Sequence, residues 1–235
     1  MTYKVLVSDK LADSGLEVLH KAEGVEVTVK TGLSEDELCA IIGEFHGLVI
    51  RSGTKVTAKV LDAAEELKAI GRAGIGVDNV DLAAASKKGV VVMNTPFGNA
   101  VTTAEHALSL LDALCRQIPD ATASMKAGKW EKKKFMGREK WGKTLGLVGL
   151  GNIGKIVADR ARGLHMKVIA TDPVLSKDEA ENLDVELVSF DELLGRADFV
   201  SIHAPLVSGT KHLFDAAAFG KMKPTALLVN AARGG

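Results

Sequence analysis

The chain has 235 residues, of which 30 are basic, 30 are acidic and 46% are hydrophobic. Because these charges balance, the chain has no net positive charge that would attract nucleic acid or an anionic membrane. Any anion site must therefore be formed by local residues. The length and the hydrophobic fraction predict one large domain or two modest domains of about 100 to 150 residues each.

Short apolar runs alternate with amphipathic segments over residues 1–98. This alternation predicts a flavodoxin-like α/β domain with a parallel sheet. The predicted strands are residues 5–7, 25–29, 48–50, 68–70 and 90–92. Ser14 with Glu17, Ser34 with Glu37 and, later in the chain, Ser189 with Glu192 fit capping boxes, so helices are expected to begin at these serines.

From Asn99 onward the pattern predicts one long helix that ends at Pro119 and connects two domains. Its apolar face is expected to contain Val101, Ala104, Leu108, Leu111, Leu114, Cys115 and Ile118. Further strands are predicted at residues 145–148, 167–170, 199–202 and 226–229. Residues 99–235 are therefore expected to form a Rossmann-type, doubly wound parallel sheet that is incomplete at its C-terminal end.

The two cysteines, Cys39 and Cys115, lack the spacing of a metal site or a disulfide framework. The first residues read as a strand rather than a signal peptide, and no apolar run approaches the ~20 residues of a membrane span. We therefore expect a cytoplasmic protein without a bound metal.

A glycine-rich loop, Gly149-Leu-Gly-Asn-Ile-Gly154, follows one predicted strand and opens an amphipathic helix. In this context Gly149 would make the tight turn, Gly151 would let a pyrophosphate approach, and Gly154 would let the helix pack closely. Asp172, at the end of the next strand, would accept from the adenosine ribose and favour NAD over NADP. Two alternatives are a helix-packing loop without a ligand and an Asp-Pro turn at residue 172.

Two more strand ends are expected at the same edge of this sheet, where ligands bind in doubly wound folds. His203 follows one of them and either lines a cofactor or is an ordinary strand-end histidine. Arg233 follows the other, and its planar guanidinium suits a carboxylate or a polarised carbonyl. A solvated arginine is the alternative.

Two basic, glycine-containing loops follow strands of the first domain. Arg51 and Ser52 follow one strand, whereas Arg72, Gly74 and Ile75 follow the next. Such loops can bind a small anion through the two arginines and the backbone amides of Gly74 and Ile75. Ordinary turn chemistry is the alternative.

Several runs together resemble the D-isomer-specific 2-hydroxyacid dehydrogenases: residues 71–79, 93–96, 149–154, 203–206 and 230–235. Three others are most similar to members that oxidise 3-phosphoglycerate with NAD at the entry to serine biosynthesis: residues 117–125, 128–130 and 133–137. The resemblance implies this oxidation to 3-phosphohydroxypyruvate, an N-terminal substrate domain and a homodimer formed through the NAD domain. The alternatives are a glyoxylate or hydroxypyruvate reductase and a non-catalytic, NAD-responsive binding protein.

The resemblance also implies roles for individual residues. Arg233 would be catalytic, and the cofactor would contact Gly149, Gly151, Asn152, Ile153, Gly154, Asp172, His203, Ala204, Pro205, Ala231, Ala232 and Ile75. The substrate would contact Arg51, Ser52, Arg72, Gly74, Ile75 and Gly76, with Lys132 as a further candidate unless it belongs to a solvated basic face.

Family members carry an acidic residue and a histidine for proton transfer after the arginine. This chain stops before them, and none of its six histidines, His212 included, is expected to replace the missing one. We therefore expect no turnover by this chain alone.

Overall fold

The computed structural model describes residues 2–234, which form two compact units that divide between Asn99 and Ala100. Met1 and Gly235, the last residue of the run 230–235, lie outside the described residues. Each unit is an α/β structure with its own five-stranded parallel sheet, so the expected fold class is confirmed. Within residues 2–234, no helix is long and apolar enough to cross a membrane.

The first unit has the strand order β2-β1-β3-β4-β5. Its strands are β1 (Tyr3–Val7), β2 (Val25–Val29), β3 (Gly47–Ile50), β4 (Ala69–Arg72) and β5 (Val91–Asn94). Its helices are α1 (Asp13–His20), α2 (Glu35–Ile42), α3 (Ala58–Ala63) and α4 (Leu82–Lys87). The core packs Leu48 and Ile70 of the sheet against Leu38 and Leu61 of the helices. Because all strands are parallel, their carboxyl ends lie at one edge.

The second unit has the strand order β10-β9-β6-β7-β8. Its strands are β6 (Thr144–Val148), β7 (Lys167–Thr171), β8 (Glu186–Leu187), β9 (Phe199–Ile202) and β10 (Leu227–Asn230). Its helices are α5 (Ala100–Cys115), α6 (Ile118–Lys126), α7 (Asn152–Gly163), α8 (Lys177–Glu181), α9 (Phe190–Arg196) and α10 (Ala216–Lys221). Leu147 and Val148 pack into separate clusters, so this sheet has a core on both faces.

The prediction of a single long helix that ends at Pro119 is wrong. Helix α5 ends at Cys115, and Gln117 adopts a left-handed conformation with φ 53° that breaks the helix. Pro119 lies in the first turn of α6, where its missing N–H costs nothing. The predicted apolar face is also partly wrong, because Val101, Leu114 and Ile118 are exposed. The buried positions of α5 are Ala100, Ala104, Ala107, Leu111 and Cys115.

Of the three predicted capping boxes, the one at Ser34 is confirmed and the one at Ser14 is wrong. Ser189 is the N-cap of α9 and its hydroxyl accepts from the Glu192 amide at 3.2 Å, which is half of a capping box. The Ser34 hydroxyl accepts from the Glu37 amide at 3.3 Å, and the Glu37 carboxylate accepts from the Ser34 amide at 2.8 Å. Helix α1 begins at Asp13, so Ser14 already lies inside its first turn. The two-residue strand β8 was not predicted, since so short a segment has no readable periodicity.

Candidate functional site

The glycine loop joins β6 to α7, and its three glycines pack differently. Gly149 has a φ of 95°, and a Cβ there would lie 2.9 Å from backbone atoms of His203 and Ala204. A Cβ on Gly154 would overlap the carbonyl oxygen of Gly149, whereas a Cβ on Gly151 would enter open space. The loop is therefore packed against protein at Gly149 and Gly154 and open at Gly151, at the N-terminus of α7. A pyrophosphate needs this opening and the amides beside it.

Asp172 follows β7, and its carboxylate is hydrogen-bonded to the glycine loop. Oδ2 accepts from the Leu150 amide at 2.7 Å, and Oδ1 accepts from the amides of Val174 at 2.9 Å and Leu175 at 3.2 Å. Burial acts to raise the pKa of Asp172, but these amides and the charge of Lys155 outweigh it and lower the pKa overall. The carboxylate is therefore ionised at neutral pH and can accept from a ribose hydroxyl.

His203 follows β9 and lies next to the glycine loop. Its Nε2 is 2.9 Å from the Ser201 hydroxyl, which is itself buried. Burial lowers the pKa of His203 to about 4, so the imidazole is neutral at pH 7. A neutral, anchored ring suits the wall of a cofactor site.

A cavity of about 390 Å³ lies at the carboxyl ends of β9 and β10. Its lining includes four residues predicted for cofactor or substrate, which are Ala204, Pro205, Ala232 and Arg233. It also includes His212, which was not among the residues predicted for this site. His212 belongs to the loop that follows β9 at this edge of the sheet. That place in the sequence was the one signal that could have predicted it as a lining residue.

Arg233 is presented to this cavity by a turn that Asn230 holds. The Asn230 side chain donates to the Arg233 carbonyl at 2.8 Å and accepts from the Ala232 amide at 3.0 Å. The exposed guanidinium donates to the Ala232 carbonyl at 2.9 Å. Asn230 was not predicted from the sequence, although an Asn directly after a strand is typical of such turns.

In the first unit, two side chains hold the loop that carries Arg51. Asp9 Oδ2 accepts from the Arg51 amide at 2.6 Å and from the Thr54 amide at 3.1 Å. The Asn79 amide group donates to the carbonyls of Arg51 and Thr54, both at 2.7 Å. Ser52 is exposed in this loop. Asp9 and Asn79 were not predicted from the sequence as supports of this loop.

The neighbouring loop after β4 differs in part from the predicted anion nest. The Gly74 amide donates to the Arg72 carbonyl at 2.9 Å, so this amide is not available to an anion. The amides of Ile75 and Gly76 make no hydrogen bond to any residue in the range 2–234. The Ile75 carbonyl accepts from Asn94 at 2.6 Å, which fixes the loop. Ile75 and Gly76 therefore remain the amides suited to an anion.

The predicted site residues divide between the two units. The first unit holds Arg51, Ser52, Arg72, Gly74, Ile75 and Gly76. The second holds Gly149, Gly151, Asn152, Ile153, Gly154, Asp172, His203, Ala204, Pro205, Ala231, Ala232 and Arg233. Asn152 and Ile153 are the first two residues of α7, and Ala231 follows β10. Lys132 is exposed in the segment after α6.

Comparison with known proteins identifies relatives of the whole chain. Residues 108–235 match the family described as D-isomer specific 2-hydroxyacid dehydrogenase, NAD binding domain. A D-3-phosphoglycerate dehydrogenase of Archaeoglobus fulgidus is 49% identical over 232 residues, which are 99% of this chain and 44% of that protein. The chain therefore spans less than half the length of this relative.

Solved structures show the same similarity. A Thermus thermophilus protein of known crystal structure superposes with a TM-score of 0.88 at 36% identity, covering 98% of this chain and 74% of that one. An NAD-dependent formate dehydrogenase from Staphylococcus aureus, solved in complex with NAD, gives a TM-score of 0.85 at 29% identity. That match covers 99% of this chain and 74% of the neighbour.

Proposed function

Because this chain belongs to the D-isomer-specific 2-hydroxyacid dehydrogenase family, we propose that it serves the NAD-dependent oxidation of 3-phosphoglycerate to 3-phosphohydroxypyruvate. The observation that carries this proposal is the glycine loop, which is open at Gly151 and has an ionised Asp172 beside it. The substrate is proposed from the similarity to D-3-phosphoglycerate dehydrogenases. This reaction opens serine biosynthesis.

When bound, NAD, the cofactor of this family's domain, would supply the acceptor for the hydride. The amides at the start of α7, with Gly151 before them, bind its pyrophosphate. Asp172 would accept from the ribose, Ala204 lines the cavity after β9, and the neutral His203 lies beside the glycine loop. These residues orient the cofactor and hold no reacting proton.

The substrate is an anion at both ends, and the proposed substrate residues are cations and amides. Arg233 binds the carboxylate region and polarises the oxygen on the reacting carbon. In the first unit, Arg51 and Arg72 supply positive charge, and the amides of Ile75 and Gly76 donate to a carboxylate.

Cofactor binding is tested by two matched glycine substitutions. Gly151→Ala places a methyl group in the open space in front of α7, so we expect the dissociation constant for NADH to rise about tenfold or more, which equals about 1.4 kcal/mol. Gly195→Ala is the control, because its Cβ also enters open space but on α9. Fluorescence titration with NADH measures both. Equal affinities in wild type and Gly151→Ala would contradict the proposal.

We further propose that these 235 residues by themselves bind NADH but do not reduce 3-phosphohydroxypyruvate at a measurable rate. Among the described residues, the cavity beside Arg233 is lined by one histidine, His212, and by no carboxylate. Proton transfer to the alkoxide oxygen needs an acid at that place. NADH oxidation in the presence of 3-phosphohydroxypyruvate measures the rate. Turnover that disappears in His212→Asn would show that His212 supplies the proton.

The same assay separates the proposed substrate from its runner-up. In a protein that contains these residues and turns over, 3-phosphohydroxypyruvate should be reduced faster than hydroxypyruvate or glyoxylate. The Arg51 loop provides the expected preference for a phosphate. We also propose a homodimer formed through the second unit, and a cytoplasmic location consistent with two free cysteines.

A further inference from the structure

The glycine loop is tied to the end of β7 by two consecutive backbone amides. The Gly149 amide donates to the Thr171 carbonyl at 2.9 Å, which extends the pairing of β6 with β7 by one residue. The next amide, Leu150, finds no backbone carbonyl and donates instead to the Asp172 carboxylate at 2.7 Å. The Asp172 side chain thus replaces the backbone of β7 as the acceptor at the point where the loop turns away from the sheet.

Asp172 also organises the loop that follows it. Its other oxygen accepts from the amides of Val174 and Leu175, so one carboxylate joins the β6–α7 loop to the β7–α8 loop. The Leu150 side chain is fully buried in the core of the second unit, which leaves its amide little freedom to find another acceptor. A carboxylate has about four acceptor sites, and three are used here within the protein.

We propose that Asp172 is a positioning residue that holds the pyrophosphate loop in shape, in addition to accepting from the ribose. The ribose role rests on the proposed function, whereas the loop role rests on bonds within the chain alone. An ionised acceptor suits this task, because hydrogen bonds to charged groups are stronger than those to neutral ones. The lowered pKa of Asp172 fits a carboxylate that its amide partners keep ionised.

This double role predicts how cofactor preference responds to substitution. If Asp172 only accepted from the ribose and repelled a 2′-phosphate, its neutralisation would weaken NADH binding and strengthen NADPH binding. If it also holds the loop, Asp172→Asn weakens the pyrophosphate contacts that both cofactors share, so NADH affinity falls further and the gain for NADPH is smaller. An asparagine cannot restore the contacts, since its amide nitrogen is a donor facing backbone donors on one side.

The decisive experiment follows the Leu150 amide by NMR hydrogen exchange in the cofactor-free protein. In wild type this amide should be protected, and in Asp172→Asn its exchange should be about 10- to 100-fold faster. Asp198→Asn is the matched control, because Asp198 also accepts from a backbone amide, that of Thr144 at 2.9 Å, but at the opposite edge of the sheet. This control variant should accelerate hydrogen exchange of the Thr144 amide and leave exchange of the Leu150 amide unchanged.

A second measurement does not depend on any variant folding. The Leu150 amide proton of wild type should shift as acid titrates the Asp172 carboxyl, with a midpoint below the ordinary aspartate pKa of 3.8. Two results would overturn the loop role. One is unchanged Leu150 exchange in Asp172→Asn, and the other is a Leu150 amide chemical shift that does not change as the Asp172 carboxyl titrates. If wild type failed to bind NADH, the proposed function would fall while the exchange result would still decide the loop role.

Discussion

At the scale of single residues, His203 couples stability to pH. Burial lowers its pKa to about 4 from the ordinary 6.5. Below pH 6.5 the unfolded chain binds a proton that the folded chain does not, so the free energy of unfolding falls from pH 6.5 towards pH 4. The full effect is about 3 kcal/mol at 1.36 kcal/mol per pKa unit. We expect His203→Gln to remove this slope in denaturant unfolding measured across that pH range.

The control for this prediction is His20→Gln, because His20 is an exposed histidine at the end of α1. The carboxylates affect the free energy of unfolding in a different pH range. Asp172 and Asp198 have lowered pKa values, so their contribution is present above pH 3.8 and is lost as the pH falls below it. A His203→Gln variant that keeps the wild-type slope between pH 4 and 6.5 would show that another group causes it.

The glycine loop was easier to predict than the side chains that hold loops in place. Gly149, Gly151 and Gly154 have a fixed spacing after an apolar strand, and that spacing can be read directly. Asp9 and Asn230 act by accepting from or donating to backbone groups of a loop, and such a bond leaves no periodic pattern. Only the three-dimensional arrangement of strand ends reveals them.

At the scale of elements, apolar runs located nine of the ten strands, because a strand buried between helices needs a continuous apolar segment. The exception, β8, has only two residues and pairs with Ile169 and Ala170. The break between α5 and α6 was also missed. A non-glycine residue with a positive φ, Gln117, causes it, and nothing in the residue type at that position signals this conformation.

The helix-start signals show the same limit. Ser34 and Ser14 both have a glutamate three residues later, yet only Ser34 forms the capping box. The difference lies in where the chain enters the helix, since α1 begins one residue before Ser14. A local motif therefore predicts that a helix starts nearby, whereas the packing of the unit decides the residue at which it starts.

At the scale of the whole molecule, each unit repeats one arrangement. In each unit, parallel strands bring polar residues to the carboxyl edge of a sheet. These residues are Arg51 and Arg72 in the first unit and Asp172 and Arg233 in the second. Residues far apart in the sequence thus become neighbours of an edge without any local signal that links them. This is why the parallel sheet, once predicted, carried most of the site assignment.

The second unit also exposes many large apolar side chains within a short part of the chain. They are Val101, Leu110, Leu114, Ile118, Met125, Trp130, Met136 and Trp141. Trp130, Met136 and Trp141 are 78%, 75% and 70% exposed, which is costly for side chains of this size unless a partner covers them. We expect them to be buried in a homodimer, for which an interface of about 1,600 Å² is typical.

Trp130 and Trp141 are the only tryptophans of the chain, so they report directly on this burial. We expect sedimentation velocity to show a dimer, and tryptophan emission to shift to shorter wavelength as protein concentration rises through the dissociation constant. Met136→Glu keeps both reporters and places a charge among the apolar side chains, so it should give monomers with red-shifted emission. Val18→Glu is the control, because Val18 is 70% exposed but lies on α1 of the first unit. A concentration-independent monomer in wild type would contradict the homodimer, since these side chains would then be stable in water.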